Sequence, residues 1–443
     1  MKKSLSVKET IFISSMLFGM FFGAGNLIFP VHMGQEAGFN IWKAVTGFLI
    51  TGVGLPLLGV AALGISKSNG LFDLCNKIGR KYSVFFTCAL YLTIGPFFAI
   101  PRCATVPFTV GVAPIIQNDG GWPLLIFSFL FFYAVMLFSL KPSKIMTWVG
   151  KILNPIFLIC LGALVVAALI SPLGAIKEIT PDKAYASGAF FKGFLEGYNT
   201  MDALAGLAFG IVVVNVIKGL GVENPDYVAA NTVKAGIFSC LIMAVIYILV
   251  TVVGAQSRGM YPVSENGGEA LTVIANHYFG KAGAIVLALT VTFACLKTAV
   301  GLITSCSETF ETMFPKGPSY KAWARIFCMV SFLIANLGLD AIIRFSLPVL
   351  MFLYPLAITI ILLALFGRFF GNAKSVYCWV TGFTLAAAVF DFIGALPEDV
   401  VSVLHLDVVI TFANAYLPFF KLGLGWICPA LVGLIIGLLA RKK

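Results

Sequence analysis

Phe18-Gly-Met-Phe-Phe-Gly-Ala-Gly-Asn-Leu-Ile-Phe-Pro30 is the stretch on which the fold turns. It lies in the first apolar run, which at roughly 20 residues is long enough to cross a bilayer. A smooth membrane helix would not gather Gly23, Gly25 and Asn26 near its middle and set Pro30 about a turn later. Glycine loosens a helix, proline removes a donor, and an asparagine side chain is costly at that depth. Unpaired backbone is tolerated in a membrane only where it lines a cavity within the protein. Close packing through small residues accounts for the glycines but not for Asn26 or Pro30. The stretch therefore predicts a discontinuous helix whose free N–H and C=O groups face something polar.

A second stretch repeats the oddity. Residues 190–210 carry Glu196, Gly197, Asn199, Thr200 and Asp202 in their first half and a clean apolar run after them. Twelve candidate spans can be laid along the chain, at about 10–31, 41–65, 82–115, 122–140, 145–170, 190–217, 233–254, 282–305, 322–338, 342–366, 376–396 and 424–440. The broken segments are spans one and six. They lie five spans apart and run in opposite directions, the pattern of an inverted repeat with its binding site at the membrane midplane. The expected fold is an all-α polytopic membrane protein of about 12 transmembrane helices, a five-plus-five inverted repeat with helices 1 and 6 discontinuous. Residues 1–170 form the first repeat, 188–366 the second, and 367–443 supply two appended helices, all in a single transmembrane domain.

Composition agrees. The chain is 60% hydrophobic and 11% charged, with mean hydropathy +0.99, which places it among membrane proteins. The net charge of +11 does not signal nucleic-acid binding, because the basic residues sit between apolar runs. Twenty of the 30 Lys and Arg fall on one set of alternate loops and seven on the other. That asymmetry puts both termini in the cytoplasm of a multi-pass protein of the cell membrane. The first apolar run is too long and too broken for a cleaved signal peptide and is expected to stay. The ten cysteines are scattered singly and read as small packing residues. The external segment 256–281 is expected to hold a short helix over the outer face, starting at Gly267. The segment from Asp399 to Phe420 is too polar for a span and is expected to be interfacial.

The helix breaks also indicate the ligand. Where the second half of span one begins, near Asn26, free N–H groups and a positive dipole end favour a carboxylate. Carbonyls released at about Gly19 to Phe22 favour a cation, and those of span six an ammonium group. A site accepting carboxylate and ammonium together suits an α-amino acid, and walls of Phe, Leu, Ile and Ala suit an apolar side chain.

Four strings carry a resemblance to a known family: Phe22-Gly-Ala-Gly-Asn-Leu-Ile-Phe-Pro30, Gly52-Val-Gly-Leu-Pro-Leu-Leu-Gly-Val60, Leu92-Thr-Ile-Gly-Pro-Phe-Phe-Ala-Ile-Pro-Arg102 and Glu196-Gly-Tyr-Asn-Thr-Met-Asp-Ala-Leu204. They closely resemble the bacterial branched-chain amino acid:cation symporters, within the amino acid–polyamine–organocation superfamily. The resemblance runs through nearly the whole chain. It implies uptake of leucine, isoleucine and valine coupled to sodium or protons, no enzymatic activity, no cofactor beyond the coupling ion, and contact with membrane lipid. Carried over residue by residue, it implies that Gly23, Ala24, Gly25 and Asn26 bind the substrate carboxylate and that Glu196, Gly197, Tyr198, Asn199 and Thr200 receive the amino group. In sodium-coupled relatives a cation lies between span-one carbonyls and span eight. Gly19 and Phe22 match those carbonyls here, and Ala294, Lys297 and Thr298 match span eight by spacing.

Lys297 departs from that pattern, because its ammonium would take the place of the ion that a hydroxyl would ligate. An intramembrane lysine is functional by default, although it can also snorkel or pair with an acid such as Glu308. A lysine in the cation site is either a fixed strut or a proton carrier, and either puts sodium at that place in doubt. A different sodium site touching Asn26, Thr200 and the substrate carboxylate stays open. Arg102 is a gate candidate paired with Asp202 or Asp391, or else a structural ion pair. Phe97 is a pocket candidate, and Asp340 and Arg344, four apart, suggest a simple pair. Three rival functions remain in view. A substrate-gated channel would need a repeated filter-like motif or a ring of like charge. A cation-independent exchanger would have Lys297 standing in for the bound cation. A membrane-embedded enzyme would need a clustered nucleophile and base, and the three histidines lie far apart.

Overall fold

The computed structural model describes residues 3–23, 25–116, 121–140 and 144–441. Among these the chain is helical, with no strand. Span one is two helices, α1 (Val7–Phe21) and α2 (Gly25–Ala37). Span two is α3 (Ile41–Leu49) and α4 (Leu55–Ser66), joined by a π turn at Ile50–Gly54. Span three is α5 (Arg80–Leu92) and α6 (Ala99–Pro107), followed by α7 (Trp122–Leu140) and α8 (Lys144–Ile170). Span six is again two helices, α9 (Ala189–Glu196) and α10 (Asp202–Gly219). Next come α11 (Pro225–Ser257), α12 (Gly267–Met313), α13 (Tyr320–Ala335), α14 (Leu339–Phe366), α15 (Lys374–Gly394) and α16 (Ile427–Leu439). These elements fall on the twelve expected spans. Eight continuous helical stretches among the described residues are long and apolar enough to cross a membrane. Helices α1, α13 and α16, at 15, 16 and 13 residues, are shorter than these stretches.

The packing repeats itself across the two halves. Span one lies along α11, the seventh span, and span six lies along α3 and α4, the second. The eighth span, α12, packs on α6 of the third, and the ninth, α13, on α7, the fourth. The fifth span meets the seventh and eighth, and the tenth, α14, meets the second and third. Exchanging spans 1–5 with 6–10 maps these pairings onto one another, the pattern of an inverted repeat. The last two spans lie outside this scheme: α15 packs against α14 and α16.

Glycines set how closely the spans approach. A Cβ on Gly34 of α2 would sit 2.1 Å from the Thr251 carbonyl oxygen, and one on Gly254 of α11 2.0 Å from that of Val31. The same occurs between α3 and α9, where a Cβ on Gly193 would sit 2.0 Å from the Ala44 oxygen.

Both interruptions are built from their own residues. At the first, Phe22 turns extended (φ −72°, ψ 102°), and the Asn26 side-chain oxygen accepts the Gly23 N–H at 2.7 Å. Pro30 does not end the second half; it lies within α2, where it withholds the N–H that would have bonded Asn26's carbonyl. At the second, a 3₁₀ turn over Gly197–Thr200 leads to Met201 at φ 62°, ψ 10°. A side chain in the left-handed region costs about 1 kcal/mol or more. The Thr200 hydroxyl accepts the first amide of α10, from Asp202, at 3.3 Å.

The segments 256–281 and 397–421, expected to be external, hold short helices. Asn266 caps the helix from Gly267, which is interrupted at Gly280 (φ 59°, ψ −164°) before continuing as the eighth span. The segment 397–421 forms two short helices, Glu398–Val403 and Asp407–Tyr416, neither long enough to cross. The expected Asp340–Arg344 pair is not formed. Arg344 instead clasps Asp399 at 2.5 and 2.6 Å, and Asp340 accepts the Asn266 amide at 3.1 Å. Neither member faces its helical neighbour, because partners from outside the helix are better placed.

Candidate functional site

The two breaks meet at one cavity. Gly23, Gly25 and Asn26 line it from span one, Arg102 and Cys103 from α6, Thr200, Met201 and Asp202 from span six, and Thr298 and Leu302 from α12. Phe21, Ile94, Ala205 and Phe209 supply apolar wall. The volume open to the centre of a water-sized sphere is about 50 Å³. That holds a few waters, so a branched amino acid fits only as side chains of the wall move aside.

A hydrogen-bonded knot lies on the cavity wall. Asp202, 2% exposed, accepts the Asn26 amide on Oδ2 at 2.6 Å and the Tyr247 hydroxyl on the same oxygen at 2.9 Å. The Asn26 amide also meets the Tyr247 hydroxyl. Asn26 thereby ties three elements: its own break, the start of α10, and α11. No cationic side chain pairs with Asp202 among the described residues.

Arg102 is the other buried charged residue on the cavity wall. Arg102 is 2% exposed. Its guanidinium donates to the Asn199 carbonyl at 2.8 Å and to the Ser346 hydroxyl of α14, and lies 5.1 Å from the centre of the Phe29 ring. Its Nε has no partner. The expected gate pair of Arg102 with Asp202 or Asp391 is therefore not made among the described residues; neutral oxygens occupy the guanidinium instead.

The remaining sequence candidates divide. Asn199 reaches the site through its backbone carbonyl, while its side-chain oxygen is buried without a partner. Tyr198 is fully buried behind the cavity, stacked on Tyr354 with ring centres 3.9 Å apart. Gly197 is a packing residue: a Cβ there would sit 2.0 Å from the Thr51 hydroxyl, which itself donates to the Phe194 carbonyl at 2.7 Å. Glu196 lines a separate cavity with Lys192, Asp391 and Lys421, its carboxylate 3.9 Å from the Lys192 ammonium. Phe97 is 39% exposed and does not line the central cavity. Thr298 approaches the first break, its methyl 3.4 Å from where a Gly23 Cβ would lie, so α12 does face span one there. Thr298 donates to the Ala294 carbonyl at 3.1 Å. Phe22 is buried against Phe18 and Tyr247. Gly19 and Lys297 do not line the cavity, and Lys297, half-buried, has no ion-pair or hydrogen-bond partner among the described residues. Ala24 lies outside the described residues. Sequence reasoning missed Tyr247 and Ser346, single hydroxyls inside apolar runs. Their only signal is that a mid-membrane hydroxyl needs a partner.

Known proteins with similar chains bear on this site. Residues 6–443 match the family described as "Branched-chain amino acid transport protein". The chain is 51% identical to the branched-chain amino acid permease BrnQ of Lactobacillus delbrueckii subsp. lactis, covering 100% of this chain and 98% of that one. It is 43% identical to BrnQ of Bacillus subtilis (strain 168), covering 99% and 98%. Among solved structures, an inward-facing conformation of Mhp1 superposes with TM-score 0.64 at 12% identity, over 97% of this chain and 90% of that one. MhsT in complex with L-phenylalanine superposes with TM-score 0.57 at 18% identity, over 99% of each. These two share the fold built on interrupted helices. With the family match running almost end to end, this chain is a multi-pass membrane transport protein, not an enzyme, and belongs to the branched-chain amino acid transport protein family.

Proposed function

We propose that this protein imports leucine, isoleucine and valine together with a cation, sodium or a proton, by exposing its central cavity to one side of the membrane at a time. The observation that carries the reading is the meeting of both helix breaks at one cavity in a chain of this family. The start of α2 offers a helix N-terminus to a carboxylate, the carbonyls around Asn199 and Thr200 and the Asp202 carboxylate offer acceptors to an ammonium, and Phe21, Ile94 and Phe209 give an apolar wall. Residues 1–170 and 188–366 act as two halves that rock about the breaks, with 367–443 appended and both termini in the cytoplasm. The cation is held between the span-one carbonyls and α12, unless Lys297 replaces it. One positive charge moving inward through 100 mV supplies about 2.3 kcal/mol, enough for roughly 40-fold accumulation of a neutral zwitterion.

The test is leucine uptake into proteoliposomes driven separately by sodium and by proton gradients, in the native protein and in Lys297→Thr. Native uptake is expected to depend weakly on sodium, and the threonine variant to gain some dependence. Strong native sodium dependence that the substitution leaves unchanged removes Lys297 from the cation site. Leucine counterflow in the absence of any ion gradient separates a carrier from a channel, which would instead pass ionic current without exchange.

A further inference from the structure

Resting on the reading above, we propose that Arg102 is the side chain that selects the substrate's carboxylate, with Asp202 as the opposite pole for its ammonium group. A buried guanidinium is normally matched by an anion, because stranding a charge away from water is costly. Arg102 is buried, lines the cavity, and is matched by none: its contacts are a backbone carbonyl, a serine hydroxyl and the face of Phe29. One of its nitrogens has no partner at all. Asp202 is its counterpart, a buried carboxyl on the same cavity whose partners, Asn26, Tyr247 and Thr200, are all neutral. The two do not pair with each other among the described residues. A cavity bounded by an unmatched guanidinium and a carboxyl without a cationic partner is complementary to a zwitterion. Guanidinium and carboxylate can form two parallel charge-assisted bonds, stronger than either neutral contact that Arg102 now makes. Binding then exchanges the Asn199 or Ser346 oxygen for the substrate's carboxylate at the same guanidinium. Ser346 belongs to α14 and Asn199 to the second break, so that exchange also loosens or tightens the link among spans three, six and ten.

Three ligands separate the poles: leucine, 3-methylbutylamine (leucine without its carboxylate) and 4-methylpentanoate (leucine without its ammonium). Equilibrium binding to purified protein in nanodiscs is expected to favour leucine over 3-methylbutylamine by at least about tenfold in the native protein, the scale of one charge-assisted bond. Arg102→Gln is expected to weaken leucine at least about tenfold while moving 3-methylbutylamine less than about threefold, collapsing the preference. Asp202→Asn should do the reverse, weakening 3-methylbutylamine and sparing 4-methylpentanoate. Equal losses for leucine and 3-methylbutylamine in Arg102→Gln mean a structural role and overturn the proposal. Native protein that binds 3-methylbutylamine as tightly as leucine overturns it without any variant. Should the native protein bind no branched-chain amino acid at all, the parent reading fails instead.

Discussion

Replacing Asn26 by alanine is the sharpest test of the knot between the two breaks. The side chain makes three contacts: it accepts the Gly23 N–H at 2.7 Å, donates to the Asp202 carboxylate at 2.6 Å and meets the Tyr247 hydroxyl. A bond to a charged group contributes about 1.5–3 kcal/mol and a neutral one about 1 kcal/mol. Losing the carboxylate bond and the Gly23 bond therefore costs about 2.5–4 kcal/mol in holding the site's shape. At 1.4 kcal/mol per tenfold, leucine binding should weaken by roughly 60- to 700-fold. Equilibrium binding to the purified variant measures this, with thermal unfolding as a check that the helices still assemble. Tyr247→Phe removes a donor to Asp202 and the contact with the Asn26 amide, and should cost at least about tenfold. Because the two side chains share Asp202, the double variant should lose less than the two single losses combined. An alanine variant that is folded and binds leucine within threefold of native would refute the claim that Asn26 shapes the pocket.

Two further outcomes concern packing and topology. Gly193→Ala forces a methyl onto the Ala44 backbone oxygen and should destabilise by about 1–3 kcal/mol, seen as a lower unfolding midpoint in detergent. Gly162→Ala, with nothing within 4 Å of the new methyl, should hold or raise that midpoint. Cysteine placed at Ser402, in the short helix Glu398–Val403, should react with a membrane-impermeant maleimide added outside intact cells. Cysteine at Ser4, near the N-terminus, should react only after the membrane is opened, and the reverse pattern would invert the proposed orientation.

The architecture was readable because its main features break the rules of membrane helices. Glycine, asparagine and a cluster of polar groups in an apolar run have few physical explanations, and both breaks lie where those residues are. The walls of the site were less readable because they depend on rotation about each helix axis. Glu196 and Asp202 flank the same break, yet the intervening 3₁₀ turn and the left-handed Met201 turn them to different cavities. Phe97 ends a π turn, Thr93–Phe97, with Gly95 outside helical geometry. The extra residue of a π turn shifts the facing side chains, so counting in steps of 3.6 misplaces it. Tyr247 and Ser346 come from spans seven and ten, and only the folded chain brings them beside Asn26 and Arg102.

The helix at residues 267–279 acts as a strap between α2 and the tenth span. It is pinned to α2 at Gly267, where a Cβ would lie 1.8 Å from the Ile28 carbonyl oxygen, and to the tenth span through Asn266 and Asp340. At its other end the chain leaves helical geometry at Gly280 (φ 59°, ψ −164°), and Tyr278 beside it donates to the Ser171 carbonyl at 2.7 Å. A tilt of α2 therefore has to carry the strap along, and a cross-link or antibody fragment fixed there should arrest the carrier while leaving the ligand's own contacts intact.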